Sequence, residues 1–318
     1  MSKLLMKQKE VKMNIRIASR NSALALWQTY HIRDLLISKG HSVEIITMKT
    51  KGDVILDTPL AKIGGKGLFT KELENSMLEG SADIAVHSLK DVPTTFPDGL
   101  KLACVCSRED VRDAMLSMKY RSLEELPKNA KVGTTSLRRK MQILASRSDL
   151  EIISLRGNVN SRIAKLKNGE FDAIILAMAG INRLELSNEV KFTSHINTIP
   201  AMGQGALGIE AVNKKEILEA IGFLNDERSV VETTIERDFV HTLNGGCQAP
   251  IGINAKLKGD KIEVEAILGL IDGSEILRDS KTYPKLAYTI AGKNFADEFI
   301  ARGAKELLKR AEEMVELS

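Results

Sequence analysis

Cysteine is scarce in this 318-residue chain: Cys104, Cys106 and Cys247 form an odd set without disulfide-framework spacing. A reducing compartment fits that usage best. Cys104 and Cys106 lie in the apolar run LKLACVCS, which reads as a buried strand rather than a metal site built on so few ligands. Aromatics make up 4% of the residues, which leaves few stacking platforms for single-stranded nucleic acid. The 46 basic residues nearly balance 42 acidic ones, so overall charge does not call for a nucleic-acid partner either. No apolar run approaches the roughly 20 residues of a membrane span. The opening MSKLLMKQKEVK lacks the apolar core of a secretory signal. These absences predict a cytoplasmic protein without membrane or nucleic-acid partners. Met13 directly precedes the first strand-like segment, so the leader reads as a start-site artefact or a frayed tail.

What is present is a regular alternation. NIRIAS reads as a strand, SALALWQTYHIRDLLISKG as an amphipathic helix and VEIITMKT as a second strand. Helix-like LFTKELENSMLEG and strand-like ADIAVHSL and LKLACVC follow. Residues 107–126 look charged and loop-like. A second α/β set then runs through AKVGTTSLRRKMQILAS, LEIISLRGNVNSRIAKLKNG and FDAIILAMAGINRL, and IPAMGQGALGIEA reads as a return crossing into another strand. The last third has a different pattern, with a helix (SVVETTIERDFVHTL), three strands separated by turns at Gly259-Asp260 and Asp272-Gly273, and a helical end with an internal Gly303. The length exceeds one ordinary core, and two or three domains are expected. The predicted class is α/β, with a largely parallel or mixed sheet flanked by helices.

Four predicted helix starts carry cations, where the helix dipole disfavours them by a few tenths to about 1 kcal/mol. They are Arg20-Asn21-Ser22, the Lys62–Gly67 glycine loop, Thr134 to Arg139, and Arg156 to Arg162. Each combines a strand end, small or hydroxyl residues that expose backbone N–H groups, and a cation, which together make an anion seat. The glycine loop lacks P-loop spacing, and no GxGxxG follows a strand. Dispersed arginines suit a ligand bearing many carboxylates better than a nucleotide.

His87-Ser88-Leu89-Lys90-Asp91-Val92-Pro93 follows a predicted strand, and Pro93 ends regular structure, so Lys90 and Asp91 should project at the sheet's C-terminal edge. A carboxylate there can stabilise a positive intermediate or exchange a proton. Cys247 sits between Gly-Gly and Gln-Ala-Pro, where packing gives no reason for a thiol. His87 reads as a packed, hydrogen-bonding residue and Trp27 as core.

HSLKDVP, LAKIGGKGLFTKELE, VGTTSLRR, LRGNVNSRI, FDAIILAMAGINRL, PAMGQGALGIE and NGGCQAPIG resemble, in order, the signature segments of the porphobilinogen deaminase family. The resemblance runs from about Ile15 to about Lys256. It implies three domains: 14–106 plus 203–223, 107–202, and 224–318. The first two are expected to resemble the lobes of type II periplasmic binding proteins, and the third to be a small α/β domain with an antiparallel sheet. It implies a transferase that deaminates four porphobilinogen molecules and joins them head to tail into hydroxymethylbilane, acting as a monomer. A dipyrromethane cofactor is implied, attached through Cys247, with no metal. Asp91 and Lys90 take the catalytic positions. Arg20, Ser22, Gln28, Ser88, Lys90, Thr134, Ser136, Arg138 and Arg139 take cofactor-binding ones. Lys62, Lys66, Phe69, Arg156, Arg162 and Arg183 take substrate-binding ones. Two positions depart from the family pattern: Asn244, where an acidic residue is frequent, and His241, where arginine is frequent. The rival reading is a non-catalytic two-lobed receptor for a polycarboxylate.

Overall fold

The computed structural model describes residues 12–54, 67–246 and 249–317. The first unit is built on β1 (Asn14–Arg20), β2 (Ser42–Met48), β3 (Ile84–Ser88) and β4 (Leu100–Val105), joined late in the chain by β10 (Leu207–Val212). Its strand order is β2-β1-β3-β10-β4, with β1 parallel to β2 and β3, and β10 antiparallel to both its neighbours. Helices α1 (Ala23–Ser38), α2 (Lys71–Leu78) and α6 (Lys215–Ile221) cover it. Ile17, Ile32, Leu73 and Ile84 are fully buried in its core. Burying such side chains stabilises by about 1.5–3 kcal/mol each.

The second unit repeats the plan with β5 (Asp113–Ser117), β6 (Lys131–Gly133), β7 (Glu151–Ile153), β8 (Ala173–Ala177) and β9 (Phe192–Ile196) in the order β7-β6-β8-β5-β9. Here too β6 is parallel to β7 and β8, and the fourth position, β5, runs antiparallel. Helices α3 (Leu137–Ser146), α4 (Val159–Lys167) and α5 (Met178–Arg183) complete it. Each crossing between the units delivers the antiparallel strand of the sheet it enters. One element overturns the sequence reading: residues 107–126 are not all loop, because β5 lies inside them, between β8 and β9. Its apolar run is short and charged on both flanks, so periodicity did not reveal it.

The third unit packs α7 (Glu227–Thr242), α8 (Tyr288–Ala301) and α9 (Ala304–Glu316) with an antiparallel sheet of β11 (Ile251–Lys258), β12 (Lys261–Gly269) and β13 (Ile276–Pro284). Phe239, Phe295 and Phe299 meet at its centre, with ring centroids 5.1–5.5 Å apart. Gly303, with φ 92°, separates α8 from α9, so the closing helix is two helices. The fold is mixed α/β throughout, two lobes and a small antiparallel-sheet domain. Among the described residues no helix is long and apolar enough to cross a membrane.

Buried charges tie the units together at the crossings. Arg108 donates to both oxygens of Glu236 on α7 (2.8 and 2.9 Å), and the same carboxylate accepts from Gly203 N and Ala255 N. Arg237 donates to the carbonyls of Val92 and Pro93 (3.0 and 2.6 Å), so the third unit also holds the loop that follows Asp91. Gly205 has φ 92°, and a Cβ there would strike the Glu109 carbonyl, so the second crossing needs glycine.

Candidate active site

All three units meet at a cavity of about 870 Å³. Its walls are the loops at the C-terminal ends of parallel strands: Arg20 to Leu24 after β1, Ser88 to Asp91 after β3, Arg156 to Arg162 after β7, and the start of α5 after β8. That edge is where open α/β sheets bind ligands. Eight cations and two carboxylates line it among the described residues: Arg20, Lys49, Lys90, Arg138, Arg139, Arg156, Arg162 and Arg183 against Asp53 and Asp91.

Four helices start at this wall, and three of them have local side-chain caps. Ser22 accepts from Ala25 N, Ser136 from Arg139 N, and Asn158 from Ser161 N. Each cap satisfies one orphan donor and leaves the remaining first-turn N–H groups and the dipole facing the cavity. None of the four has an acidic residue in its first turn; of the helices that start elsewhere, α2, α6, α7 and α9 do and α8 does not. At the cavity the helix dipoles are therefore left without an acidic side chain of their own in the first turn. Gly157, with φ 113°, turns the chain between Arg156 and the Asn158 cap.

The cations are crowded. Burial lowers the Lys90 ammonium to about 8, with Arg139 and Arg138 pushing the same way and Asp91 and Asp113 opposing. Burial lowers Arg162 to about 10, helped by Arg139 and Arg156 and opposed by Asp91. Arg138, Arg156 and Arg183 are also held below the ordinary arginine value, each chiefly by burial. Five cations around one cavity are thus held below their ordinary values, chiefly by desolvation, and the lining carries eight cations against two carboxylates among the described residues, a balance that favours anions.

The predicted residues fall into groups. Asp91 and Lys90 end the 3₁₀ turn after β3 and line the cavity. Ser88 and Gln28 meet beside them, Gln28 Nε2 donating to Ser88 Oγ at 2.8 Å, and both line a small recess shared with Arg20, Ser22 and Asp91. Arg20 pairs with Asp53 and lies 4.4 Å from the centre of the Phe69 ring. Arg156 and Arg162 stand together on the second lobe, and Arg162 Nε donates to Gly157 O at 2.8 Å. Arg183 donates to Gly205 O at 2.6 Å. Thr134 is buried behind the wall, its hydroxyl accepting from Ser136 N.

Arg138 and Arg139 line the cavity yet spend most of their donors inward. Both grip Asp113, Arg138 through Nη1 (2.7 Å) and Arg139 through Nη2 (2.7 Å), and they also donate to the carbonyls of Ile199 and Ile175. Asp113 is fully buried and held far below the usual carboxylate range by these two guanidiniums. Sequence reasoning missed it, because it lies in the charged stretch that reads as loop.

Trp27 is a correction: it is 36% exposed and stacks on His31 at 5.4 Å, because the buried stripe of α1 is Ala25, Gln28, Thr29, Ile32 and Leu36. His87 is packed and bonds Glu210 (3.1 Å), as its strand position suggested. Cys104 and Cys106 are buried, and burial pushes both thiols up to about 12. Lys62, Lys66 and Cys247 lie outside the described residues. The residues bracketing the pair 247–248, Gly246 and Ala249, both line the cavity. Of the two atypical positions, Asn244 takes the left-handed conformation (φ 55°) that asparagine tolerates after a helix, and His241 Nδ1 lies 3.1 Å from Thr94 Oγ1.

A family model for the dipyrromethane cofactor binding domain of porphobilinogen deaminase matches residues 15–220, and one for that enzyme's C-terminal domain matches 230–301. The chain is 92% identical over 303 residues to a porphobilinogen deaminase of Campylobacter fetus, covering 95% of this chain and all of that one. It is 65% identical over 311 residues to that of Campylobacter curvus, covering 95% and 99%. It is 61% identical over 308 residues to one from Campylobacter jejuni, covering 95% and 100%. Among solved structures, the periplasmic VFT2 domain of Bordetella pertussis BvgS aligns at TM-score 0.40 and 12% identity, covering 68% of this chain and 90% of that one.

Proposed function

The chain belongs to the porphobilinogen deaminase family, and on that premise we propose how its own residues perform the family's reaction. Four porphobilinogen molecules lose ammonia and are joined head to tail, and one water supplies the hydroxyl as hydroxymethylbilane is released by hydrolysis. At each addition the aminomethyl C–N bond breaks, a C–C bond forms to a pyrrole α-carbon, and that carbon loses its proton.

The observation that carries the assignment of roles is the excess of cations over carboxylates in the cavity that Asp91 lines. Each pyrrole of the substrate bears an acetate and a propionate, and the dipyrromethane carries the same groups. Arginine forks and helix N-termini fit those carboxylates, and the cavity lies in the size range of sites that enclose an organic ligand. The residues present therefore fit the group. When bound, it supplies the free pyrrole α-carbon that accepts the incoming unit. We assign its attachment to Cys247, supported by the cavity-lining positions of Gly246 and Ala249.

Asp91 is the carboxylate that faces the reacting centre. It accepts hydrogen bonds from pyrrole N–H groups, and its charge stabilises the cation that develops on the substrate as ammonia departs. Lys90 holds a carboxylate and, with a value near 8, stands as a proton donor at neutral pH. Arg20, Ser22, Ser88, Gln28, Ser136, Arg138 and Arg139 surround the cofactor, with Thr134 supporting them, and Arg156, Arg162, Arg183, Lys62, Lys66 and Phe69 receive substrate. The three domains run as 14–106 plus 203–223, 107–202 and 224–318, each containing one of the three sheets. The chain acts as a cytoplasmic monomer, the compartment supported by its cysteine usage.

Incubation of the purified chain with porphobilinogen tests the reading. Four ammonia molecules per linear tetrapyrrole are expected; tight polycarboxylate binding without ammonia release would favour the receptor instead.

A further inference from the structure

Gln204 is 1% exposed and sits in the second crossing between the lobes, where it touches both. Its Nε2 donates to Val111 O (2.6 Å) and to Asp113 Oδ1 (2.9 Å), which uses both amide hydrogens on the second-lobe side. That fixes the orientation of the amide and turns Oε1 toward the first lobe, where it accepts from Lys90 Nζ at 3.5 Å. The amide dipole therefore lies along the field between a carboxylate and an ammonium. Its backbone is pinned too, since Gln204 O accepts from Arg108 Nε at 2.8 Å. On the far side, the same Asp113 carboxylate holds Arg138, Arg139 and Thr198.

We propose that Gln204 is a positioning residue that sets Lys90 and Asp91 of one lobe in register with the Arg138–Arg139 pair of the other. The inference deepens the catalytic reading above and rests on it. One side chain hydrogen-bonds both Lys90 and Asp113, from opposite ends of the same amide. A shift of the lobes that moved the arginines would thus be felt at the lysine through Gln204. Among the described residues, the charged groups that act most on Lys90 are Asp91 beside it and, across the crossing, Arg139, Asp113 and Arg138. An acceptor on the ammonium favours its charged form, and an added negative charge favours it more.

The test is the pH dependence of KM for porphobilinogen in the cofactor-loaded wild type, Q204L and Q204E. Wild-type KM should rise as Lys90 discharges near pH 8. In Q204L the rise should move to lower pH by about half to one unit, and in Q204E to higher pH. Q204M, isosteric and uncharged, should follow Q204L and serves if Q204E does not fold. A residue that only supports the fold would lower activity in all variants and leave the midpoint unmoved, and that result overturns the inference. Wild type with no turnover at any pH would instead overturn the catalytic reading.

Discussion

Asp113 and Arg139 form a buried ion pair behind the cavity wall: Arg139, which lines the cavity, reaches Asp113 Oδ1 with Nε and Nη2 at 3.0 and 2.7 Å, and both residues are shielded from solvent. The arginine is thereby aimed before any ligand arrives, which lowers the ordering cost of binding.

Removing that anchor should damage both fold and site. Asp113→Asn leaves two buried guanidiniums without their counter-charge, and a loss of about 3–5 kcal/mol in denaturant unfolding is expected. KM should rise as well. Unchanged stability would mean that the arginines find another partner.

Acid should weaken the same cluster. Folding lowers the Asp113 pKa, so its stabilisation is complete above the unfolded carboxyl's value of about 3.9 and drains away as pH falls below it. Urea midpoints measured from pH 5 downward should therefore fall less steeply in Asp113→Asn than in the wild type. Parallel slopes would contradict the assignment.

Lys90 works in the opposite window. Its folded value of about 8 lies below the ordinary lysine value of 10.5, so the unfolded chain binds more protons between the two and stability should rise with pH there. Carboxylate binding should weaken over the same range. Lys90→Arg stays charged and should hold KM flat up to about pH 10. A rise in KM identical to the wild type would place the titrating group elsewhere.

Asp91→Asn should fold and carry its cofactor but turn over about 10²–10⁴-fold more slowly. The check is single-turnover ammonia release from protein whose covalent mass has first been verified. Near-normal release would remove Asp91 from the chemistry.

Much of the site was legible because its signals are local. Ser22, Ser136 and Asn158 are caps adjacent in sequence to the cations they accompany, and Pro93 marks the end of the segment bearing Asp91. Long-range compensation was not legible. Asp113 in β5 is tolerable in the interior only because arginines 25 and 26 residues away neutralise it, and its strand is too short and too charged at its flanks to show a period. The same blindness hides which arginines face a ligand. Arg138 and Arg156 look alike in sequence, yet the first is drawn inward by Asp113 and the Ile199 carbonyl. Trp27 misled because α1 carries apolar residues on both of its faces, and its buried stripe includes the polar Gln28 and Thr29.

Intact mass of the untreated protein is the most direct measurement of all. The attachment proposed at Cys247 predicts a chain heavier than its sequence by two linked pyrrole units, with the excess absent from Cys247→Ser. An active wild type of unmodified mass would contradict the account.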